Sequence, residues 1–521
     1  MFRYAKHIIH VIMLYGWIGW HMYSEISYKL AENAKLNPET LVSSIKSQTN
    51  ATQVSAHIEP EESNLDSIFN YITQSVFSYV IQVIQYLIIF PLPQVVCNLL
   101  GLTFLNAFPG EVKQTVGKVK ESNGGGNSLA AVDPSRACNG VAARDCIESV
   151  VPHICFRVVT RGNYPELVQS NVHRNFLTCL EAGLMDFSFE VATDKDINLT
   201  DAPAYNRIRQ LIVPKDYRTP TGALFKARAL QYALEPGVSP LKAGDYIVHL
   251  DEETIISNNV VRGIANFASK GAYSFGQGLI TYANLDVVNI LTTMADSYRV
   301  ADDMGKVQFQ LAVLHKPIFG WKGSFVVSKY EAELDVSYDH GPDGSIAEDC
   351  YFSMVAMEKG YKFDFVQGEM YEKSPFTLMD FIRQRRRWVQ GIWLVVHNFK
   401  IPIRTKFFLI LSHYAALTLP LVTLNVFLNL AIKIPAPIHI LVMEKFCAAI
   451  TIYMYMFGLL KTLDLKPRSI PIIILYIMIQ MVTLTLNAIF ENIAVIWGAF
   501  SSKHNFYVVK KDLDGKVILD S

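Results

Sequence analysis

Three long apolar segments near the end of the chain constrain its fold more than any other feature. They are residues 407–432, 437–460 and 470–500. A helix needs about 20 residues to cross the hydrocarbon core of a bilayer, and each of these segments is longer than that. An apolar and aromatic stretch at 7–23 follows Arg3 and Lys6, and no small-residue cleavage site comes after it, so we interpret it as an uncleaved anchor. The sequence therefore predicts a multi-pass membrane protein.

A further apolar stretch near the start, residues 71–108, is interrupted by Pro91 and Pro93. We expect one span near 76–95 and a helix at the membrane interface. The alternative is a tight hairpin that crosses the membrane twice. It would add one crossing, which changes an odd total number of crossings to an even one or the reverse. Residues 1–110 then form an N-terminal anchor region with a polar loop between its two spans.

The composition supports this class and excludes others. Charged residues make up only 18% of the 521 residues, below the roughly 25% of soluble domains, and hydrophobic residues make up 51%. The 47 basic and 47 acidic side chains balance, so the net charge indicates no nucleic-acid partner. The seven cysteines are odd in number and form no C-x-x-C pair, which argues against a disulfide framework or a zinc knuckle.

The middle of the chain, residues 153–375, alternates short β-rich runs with helical stretches. The predicted strands are 154–160, 187–193, 246–251, 273–280, 323–328 and 361–366. Strands that alternate with helices are typical of a largely parallel α/β sheet, and about 220 residues suit one such domain. A flexible linker at 111–152, with a glycine patch at 123–127, precedes the domain, and a basic helical stretch at 376–404 follows it.

Positive charge flanks this domain on both sides, as lysines within 113–120 and arginines within 383–387. Because cytosolic loops are enriched in Lys and Arg, the domain is expected to face the cytosol. If three helices in 405–500 each cross once, the tail at 501–521 lies on the opposite side of the membrane. Glu491, inside the last apolar segment, has no explanation at this level.

The first candidate motif is the acidic turn Asp251-Glu252-Glu253, which directly follows the strand predicted at 246–251. Ligands of open α/β sheets collect at the carboxyl ends of strands. Asp251 and Glu253 are two residues apart and can reach one cation, and their hard oxygen atoms suit Mg²⁺ or Mn²⁺. The alternative is a solvated acidic loop after a strand.

The second motif is Glu348-Asp349, which opens a helix that we expect to end at Gly360. Asp349 is a candidate general base that takes the proton of an acceptor hydroxyl. The alternative is that one of the two carboxylates caps the helix N-terminus.

The third motif is Q-x-x-R-W, formed by Gln384, Arg387 and Trp388. These residues share one face of a helix. An arginine can neutralise a diphosphate through two parallel hydrogen bonds, and a tryptophan can stack on a sugar. The alternative is a juxtamembrane basic stretch that contacts anionic lipid headgroups.

The fourth motif places Gly320 and Gly323 beside Trp321 before a predicted strand. Glycines allow close approach of the backbone to a ligand, although a simple turn is an equally good interpretation.

The order of these motifs resembles the family 2 glycosyltransferases, which include cellulose, chitin and hyaluronan synthases and ceramide glucosyltransferase. The resemblance implies an α/β GT-A (Rossmann-like) domain flanked by transmembrane α-helices. It also implies roles for individual residues. Donor contacts fall on Thr160, Arg161, Asp194, Lys226, Asp251, Gln384 and Arg387; metal contacts on Asp251 and Glu253; catalysis on Asp349, Glu348 and Arg387; and acceptor contacts on Trp321, Gly323 and Trp388.

A narrower resemblance covers the whole middle domain. VVTRGNYPELV, HLDEET, GWKGSFVV, SIAEDCYFSMVAMEKGYKFDFVQGEM and RQRRRWVQGIW look like the egghead-type β-1,4-mannosyltransferases of invertebrates. This implies inverting transfer of mannose from GDP-mannose to O4 of glucosylceramide, with Mn²⁺ or Mg²⁺, in the Golgi or endoplasmic reticulum membrane. The sequence departs from the wider family at Glu253, where Asp is usual, so Asp251 is expected to carry most of the metal coordination.

Two alternatives remain open from the sequence. One is a UDP-sugar-dependent enzyme of the same family, either a ceramide glucosyltransferase or a processive polysaccharide synthase. The other is a non-enzymatic membrane receptor or transporter, for which intramembrane charges such as Glu491 and Lys433 are the only support.

Overall fold

The computed structural model describes most of the chain. It covers residues 2–35, 76, 79–108, 110–113, 151–199, 207–282, 287–431, 436–463, 470–513 and 516–517. Most of the predicted linker, including its glycine patch, lies outside the described residues, as does Lys433.

The middle domain is built on one eight-stranded sheet. The strands are β1 (Ile154–Thr160), β2 (Phe187–Thr193), β3 (Ile208–Ile212), β4 (Tyr246–Asp251), β5 (Ile255–Ile256), β6 (Phe275–Thr281), β7 (Val326–Lys329) and β8 (Phe363–Tyr371). Their order across the sheet is β3-β2-β1-β4-β7-β6-β8-β5. The first four strands in this order are parallel, whereas β7 runs antiparallel to β4 and to β6. The sheet is therefore mixed: β6 and β8 are again parallel, and the prediction of a largely parallel sheet fails only where β7 and β5 pair with their neighbours.

Helices pack around this sheet. Those of the domain are α3 (Pro165–Glu181), α4 (Phe225–Tyr232), α5 (Asn258–Lys270), α6 (Ile290–Asp302), α7 (Gln308–Ala312), α8 (Tyr330–Val336) and α9 (Glu348–Glu358). A π-helical turn, Asp303–Val307, joins α6 to α7. Helix α5 begins where the Ser257 hydroxyl accepts a hydrogen bond from Val260 N (3.2 Å) and ends at Gly271, whose φ is +58°. This is the expected chemistry of a serine N-cap and a left-handed glycine C-terminus.

The strand register brings the polar ends of three strands to one edge of the sheet. Thr160, the last residue of β1, is paired with Thr193 of β2, and Val159 is paired with Asp251 of β4. Asp194 follows β2 directly, so it lies at the same edge. This edge is where open α/β sheets bind ligands.

A buried ion network lies inside the domain. Arg157 of β1 is fully buried and donates to Glu190 at 2.6 Å and to Glu333 at 3.4 Å. Glu333 also pairs with His249 at 2.7 Å. Burial by itself would raise the pKa of Glu333, but His249 and Arg157 together hold it below its usual value.

Arg157→Met is expected to lower the free energy of unfolding by about 3–5 kcal/mol, because it leaves buried carboxylates without their shared cation. The control is Arg404→Met, which breaks the 2.8 Å pair with Glu358, in which the Arg404 side chain is 81% exposed. We expect about 0–1 kcal/mol for this surface pair. Chemical denaturation in detergent compares the two variants, and equal losses would contradict the structural role given to Arg157.

Helices before and after the middle domain carry apolar surface. They are α1 (Phe2–Lys35), α2 (Leu92–Phe104), α11 (Ile403–Leu417), α12 (Leu419–Ala431), α13 (Ile438–Thr462) and α14 (Ile470–Phe500). Within the described residues, three helices are long and apolar enough to cross a membrane: Tyr79–Phe104, α13 and α14. The first of these runs through both prolines of the stretch that we interpreted as a span or a hairpin.

Two of the five segments predicted as spans do not form a single straight helix that qualifies as a membrane span. Residues 407–432 fall on α11 and α12, which are bent by 48° at a short break, as in a broken span or a re-entrant loop. Residues 7–23 fall inside α1, which is helical but is not among the three candidate spans. Helix α1 packs on α13, where the Trp17 indole N–H donates to the Ala449 carbonyl at 3.0 Å. The expectation of five crossings therefore remains a prediction.

The C-terminal tail lies against the middle domain. Tyr164 of the domain donates to Asp512 at 2.9 Å, and Lys511 pairs with Glu253. Three crossings after the domain would have separated the tail from it. The expectation that the tail lies on the opposite side of the membrane is therefore wrong. If the bent α11–α12 pair enters and leaves the membrane on the same side, only α13 and α14 cross after the domain, and the tail returns to the side of the domain.

Candidate active site

A single cavity of about 870 Å³ opens at the carboxyl ends of β1, β2 and β4. Its size is that of an ordinary small-ligand site. Every residue that the sequence predicted for the site lines it. They are Thr160, Arg161, Asp194, Lys226, Asp251, Glu253, Trp321, Gly323, Glu348, Asp349, Gln384, Arg387 and Trp388. Four motifs that lie between Asp251 and Trp388 in the sequence therefore share one cavity, although the role of each residue stays a prediction.

The acidic turn after β4 is held in place by the backbone and by polar neighbours. Asp251 accepts a hydrogen bond from Lys226 Nζ at 2.6 Å, and the Glu252 carboxylate accepts one from the Thr160 hydroxyl. Glu253 pairs with Lys511 of the tail. The turn is thus a fixed part of the cavity wall, and the alternative of a solvated loop does not describe it.

Lys226, at the start of α4, is the central cation of the site. Besides Asp251, its ammonium donates to the Gly323 carbonyl at 3.0 Å and lies 3.9 Å from Glu348. Burial alone would lower the pKa of Lys226, but Asp251 and Glu348 raise it above its usual value. The same ion pair holds the pKa of Asp251 below its usual value against the effect of burial.

Glu348 and Asp349 occupy the first turn of α9. The residue in the N-cap position is Ala347, which makes no side-chain cap hydrogen bond, and both acids lie at the helix N-terminus, as the capping alternative requires of one of them. Asp349 Oδ1 accepts a hydrogen bond from Cys350 N at 2.7 Å. Burial, together with the charge of Asp349, raises the pKa of Glu348 to about 7, and burial raises the pKa of Asp349. A raised pKa brings a carboxylate nearer to the neutral pH at which a general base works best.

Glu348→Gln is expected to make the protein more stable at pH 8 but not near pH 4.5. The pKa of Glu348 rises from its ordinary 4.5 to about 7 on folding, so wild-type stability is lost as the pH rises through this window. A glutamine cannot ionise, and it should restore about 1–3 kcal/mol at pH 8. Melting temperatures at the two pH values check this, with the exposed Glu181→Gln as the control. A gain of equal size at both pH values would contradict the raised pKa.

Trp321 braces the second acidic motif from inside the domain. Its indole is only 7% exposed, stacks on Phe352 at 5.7 Å, and donates to the Asp349 carbonyl at 2.8 Å. A Cβ built on Gly323 would lie 3.1 Å from Asp349 Oδ2, so this glycine leaves room for the Asp349 carboxylate. These contacts support Asp349, whereas the predicted acceptor contact of Trp321 stays a prediction.

The Q-x-x-R-W motif lies on α10 (Leu378–His397). Its three residues reach the cavity, as their shared helix face requires. The Arg387 guanidinium lies 4.7 Å from the centroid of the Phe506 ring, and its Nε is buried without a hydrogen-bond partner among the described residues. The motif is therefore more than a juxtamembrane basic stretch.

One end of the cavity is formed by the loops after β1 and β2. The Thr160 hydroxyl accepts a hydrogen bond from Gly162 N at 3.0 Å, and Asp194 pairs with Arg228 at 2.7 Å. Gly162 has a φ of +70°, which is the left-handed conformation that favours glycine. These polar groups and Arg161 form one end of the cavity wall.

Two features of the site were missed by sequence reasoning. Half-buried Glu372, just after β8, accepts a hydrogen bond from the Thr254 hydroxyl at 2.9 Å, and desolvation with the charges of Asp251 and Glu253 raises its pKa to about 7. The other feature is the tail, where Phe506 stacks on Phe225 at 4.6 Å. The sequence did offer a signal for the role of the tail, namely the aromatic and lysine residues that follow the last apolar segment.

The predicted metal ligands, Asp251 and Glu253, are carboxylates that suit a divalent cation, but each is paired with a lysine. Asp251 and Glu253 supply hard oxygen atoms, and the raised pKa of Glu372 reflects crowded negative charge beside them. In the described part of the chain, however, no group of three His, Cys, Asp or Glu side chains is arranged to hold a metal ion. A divalent cation fits this turn if it replaces the charge of Lys226 or Lys511.

Comparison with known proteins defines the class. Residues 246–461 match the model described as glycosyl transferase family group 2. Beta-1,4-mannosyltransferase egh of Drosophila melanogaster is 49% identical over 82% of this chain and 87% of its own length. Beta-1,4-mannosyltransferase bre-3 of Caenorhabditis elegans is 49% identical over 81% of this chain and 86% of its own.

The chain therefore belongs to the family 2 glycosyltransferases, in the group of the β-1,4-mannosyltransferases, as its motifs predicted. It is a glycosyltransferase with a GT-A domain, and the non-enzymatic receptor or transporter is excluded. Among solved structures, S. aureus TarS in complex with UDP-GlcNAc is 12% identical with a TM-score of 0.30, over 59% of this chain and 90% of that one.

Proposed function

We propose that the protein transfers mannose from GDP-mannose to O4 of glucosylceramide with inversion at the anomeric carbon. The observation that carries this proposal is the single cavity that holds all four motifs beside apolar helices. The curated relatives are named β-1,4-mannosyltransferases, which supports mannose and the linkage. The membrane helices support a lipid-linked acceptor, because a soluble acceptor needs no membrane bundle at the cavity.

The donor binds at the carboxyl ends of β1 and β2 in this proposal. Thr160, Arg161 and Asp194 contact the nucleoside end, and Arg387 and Gln384 contact the diphosphate. Arg387 suits this role because its guanidinium is in the cavity wall and can donate two parallel hydrogen bonds to a diphosphate.

Asp349 takes the proton from O4 of the acceptor as that oxygen attacks the anomeric carbon and the bond to GDP breaks. Glu348, whose pKa is raised to about 7, is the acid that carries a proton, so Asp349 stays ionised and able to take the proton of the acceptor hydroxyl. Trp388 and Gly323 line the side on which the acceptor sugar lies. Arg387 stabilises the charge that develops on the departing GDP.

Asp251 and Glu253 would hold Mn²⁺ or Mg²⁺. Such an ion supplies positive charge that offsets the diphosphate. The reaction takes place at a Golgi or endoplasmic reticulum membrane with the catalytic domain in the cytosol, as the basic residues on both sides of the domain favour.

Linkage analysis of the product tests the proposal. Purified protein, GDP-mannose and glucosylceramide should give one glycolipid that a β-mannosidase cleaves and an α-mannosidase does not. Methylation should place the new bond at O4 of glucose. A product with an α-linked mannose would contradict single-displacement inversion.

A further inference from the structure

The acidic residue inside the last membrane helix has a partner in the catalytic motif. Glu491 of α14 accepts a hydrogen bond from Arg385 Nε at 3.0 Å. Arg385 lies on α10 between two residues of Q-x-x-R-W, Gln384 and Arg387, and is only 5% exposed. A charge within an apolar helix is costly unless it is paired, so this contact accounts for Glu491.

Arg385 contacts two motif residues as well as two acids. Its Nη1 donates to Gln384 Oε1 at 2.8 Å, and its guanidinium carbon lies 4.3 Å from the centroid of the Trp388 ring. Its Nη2 donates to the Asp296 carboxylate. One guanidinium therefore joins Gln384 and Trp388, which line the cavity, to an acid on α6 and an acid on α14.

A second guanidinium completes the cluster around Trp388. Arg299 lies 4.6 Å from the centroid of the same ring and donates to Asp296 at 3.3 Å. Asp296 is fully buried. Burial would raise the pKa of Asp296, but Arg385 and Arg299 hold it below its usual value, so its carboxylate stays ionised between the two arginines.

Helix α14 also packs closely along α10. A Cβ built on Gly498 would lie 3.1 Å from Val389, and Gln390 donates to Ser501 at 2.8 Å. Arg386 faces away from Trp388 and lies 4.4 Å from the ring centroid of Trp497 on α14. The motif helix is thus fixed to the membrane helix on one side and presents Gln384 and Trp388 to the cavity on the other.

We propose that Arg385, held by Asp296 and Glu491, is a positioning residue that fixes Trp388 at the acceptor side of the cavity. The inference rests on the proposed mannosyl transfer. It assigns a function to the membrane helix α14: its carboxylate orients the arginine that orients the wall of the sugar site. A lysine cannot replace this arginine. Its ammonium lacks the planar fork of donors with which the guanidinium contacts the two acids, the Gln384 amide and the Trp388 ring at once.

The test compares Arg385→Lys with Arg386→Lys in the full chain in detergent. Arg385→Lys should raise the KM for glucosylceramide by about tenfold or more, because small misplacement of a binding group has large effects. The dissociation constant of GDP and the KM for GDP-mannose should change less than the acceptor KM, by at most about threefold, because Arg387 keeps its paired donors for the diphosphate even if Gln384 shifts. Arg386→Lys, which keeps the same charge on the same helix, should leave all three constants unchanged.

Glu491→Gln gives an independent measurement. It keeps a hydrogen-bond acceptor for Arg385 and removes the charge, so it should raise the acceptor KM by about threefold without changing GDP binding. An acceptor KM equal to that of wild type in both variants would overturn the proposal. So would parallel losses of GDP affinity and melting temperature, since these would make the cluster structural only. A wild-type protein that transfers mannose to no glucosyl lipid would instead contradict the proposed function.

Discussion

Asp349→Asn is expected to lower the rate of mannosyl transfer by about 10²- to 10⁴-fold while leaving the dissociation constant of GDP within about twofold. The amide has the size of the carboxylate and can still accept the hydrogen bond from Cys350 N, but it cannot take a proton from the acceptor hydroxyl. The measurement is kcat at saturating donor and acceptor, with GDP binding by calorimetry.

The matched control for this variant is Asp335→Asn. Asp335 is an exposed acid that pairs with Lys359 at 3.0 Å, away from the cavity. Its substitution should leave kcat unchanged. Loss of GDP binding in Asp349→Asn would move this residue from base to donor contact. A larger loss of kcat in Glu348→Gln than in Asp349→Asn would assign the base to Glu348.

Arg387→Met is expected to lower kcat by about 10²- to 10³-fold, the usual effect of removing one donor that stabilises developing charge. The Arg387 guanidinium lines the cavity, and its buried Nε has no hydrogen-bond partner in the described part of the chain, so it is free to donate to a diphosphate. Arg387→Lys should restore part of the rate, because lysine keeps the charge but not the paired donors.

Arg386→Met is the control for this second variant. It removes a neighbouring charge of the same helix that contacts Trp497 and does not reach the cavity. We expect a change of at most about twofold in kcat for this surface-like contact. Equal losses of kcat in Arg386→Met and Arg387→Met would mean that only the net charge of the helix matters. That result would contradict the proposal that Arg387 stabilises the departing GDP.

The strands of the catalytic domain show what the sequence could predict. The bounds of β1, β2 and β4 agree with the predicted 154–160, 187–193 and 246–251. Buried parallel strands are short apolar runs that end at polar residues, so their limits are visible in the sequence. Strand β3 was missed because IRQLI contains Arg209 and Gln210 and is only half-buried at the edge of the sheet. The reversed direction of β7 was missed because the residues of one strand do not encode its direction.

The site was predicted where local motifs define it and missed where distant parts of the chain meet. Acidic pairs after a strand or before a helix are readable from spacing alone. The contact between Lys511 and Glu253 joins residues more than 250 positions apart, and the contact between Arg385 and Glu491 joins two helices. Such pairs depend on tertiary packing, which single-sequence patterns do not contain. The correction to the side of the tail has the same origin.

The most direct test of the account is a transfer assay with the purified full chain, glucosylceramide and Mn²⁺ or Mg²⁺, comparing GDP-mannose with UDP-glucose and UDP-N-acetylglucosamine. We predict a single mannosylated glycolipid that forms only from GDP-mannose and is lost when EDTA removes the divalent ion. Transfer from a UDP-sugar with none from GDP-mannose would contradict the proposed donor and leave the protein in its family with a different substrate.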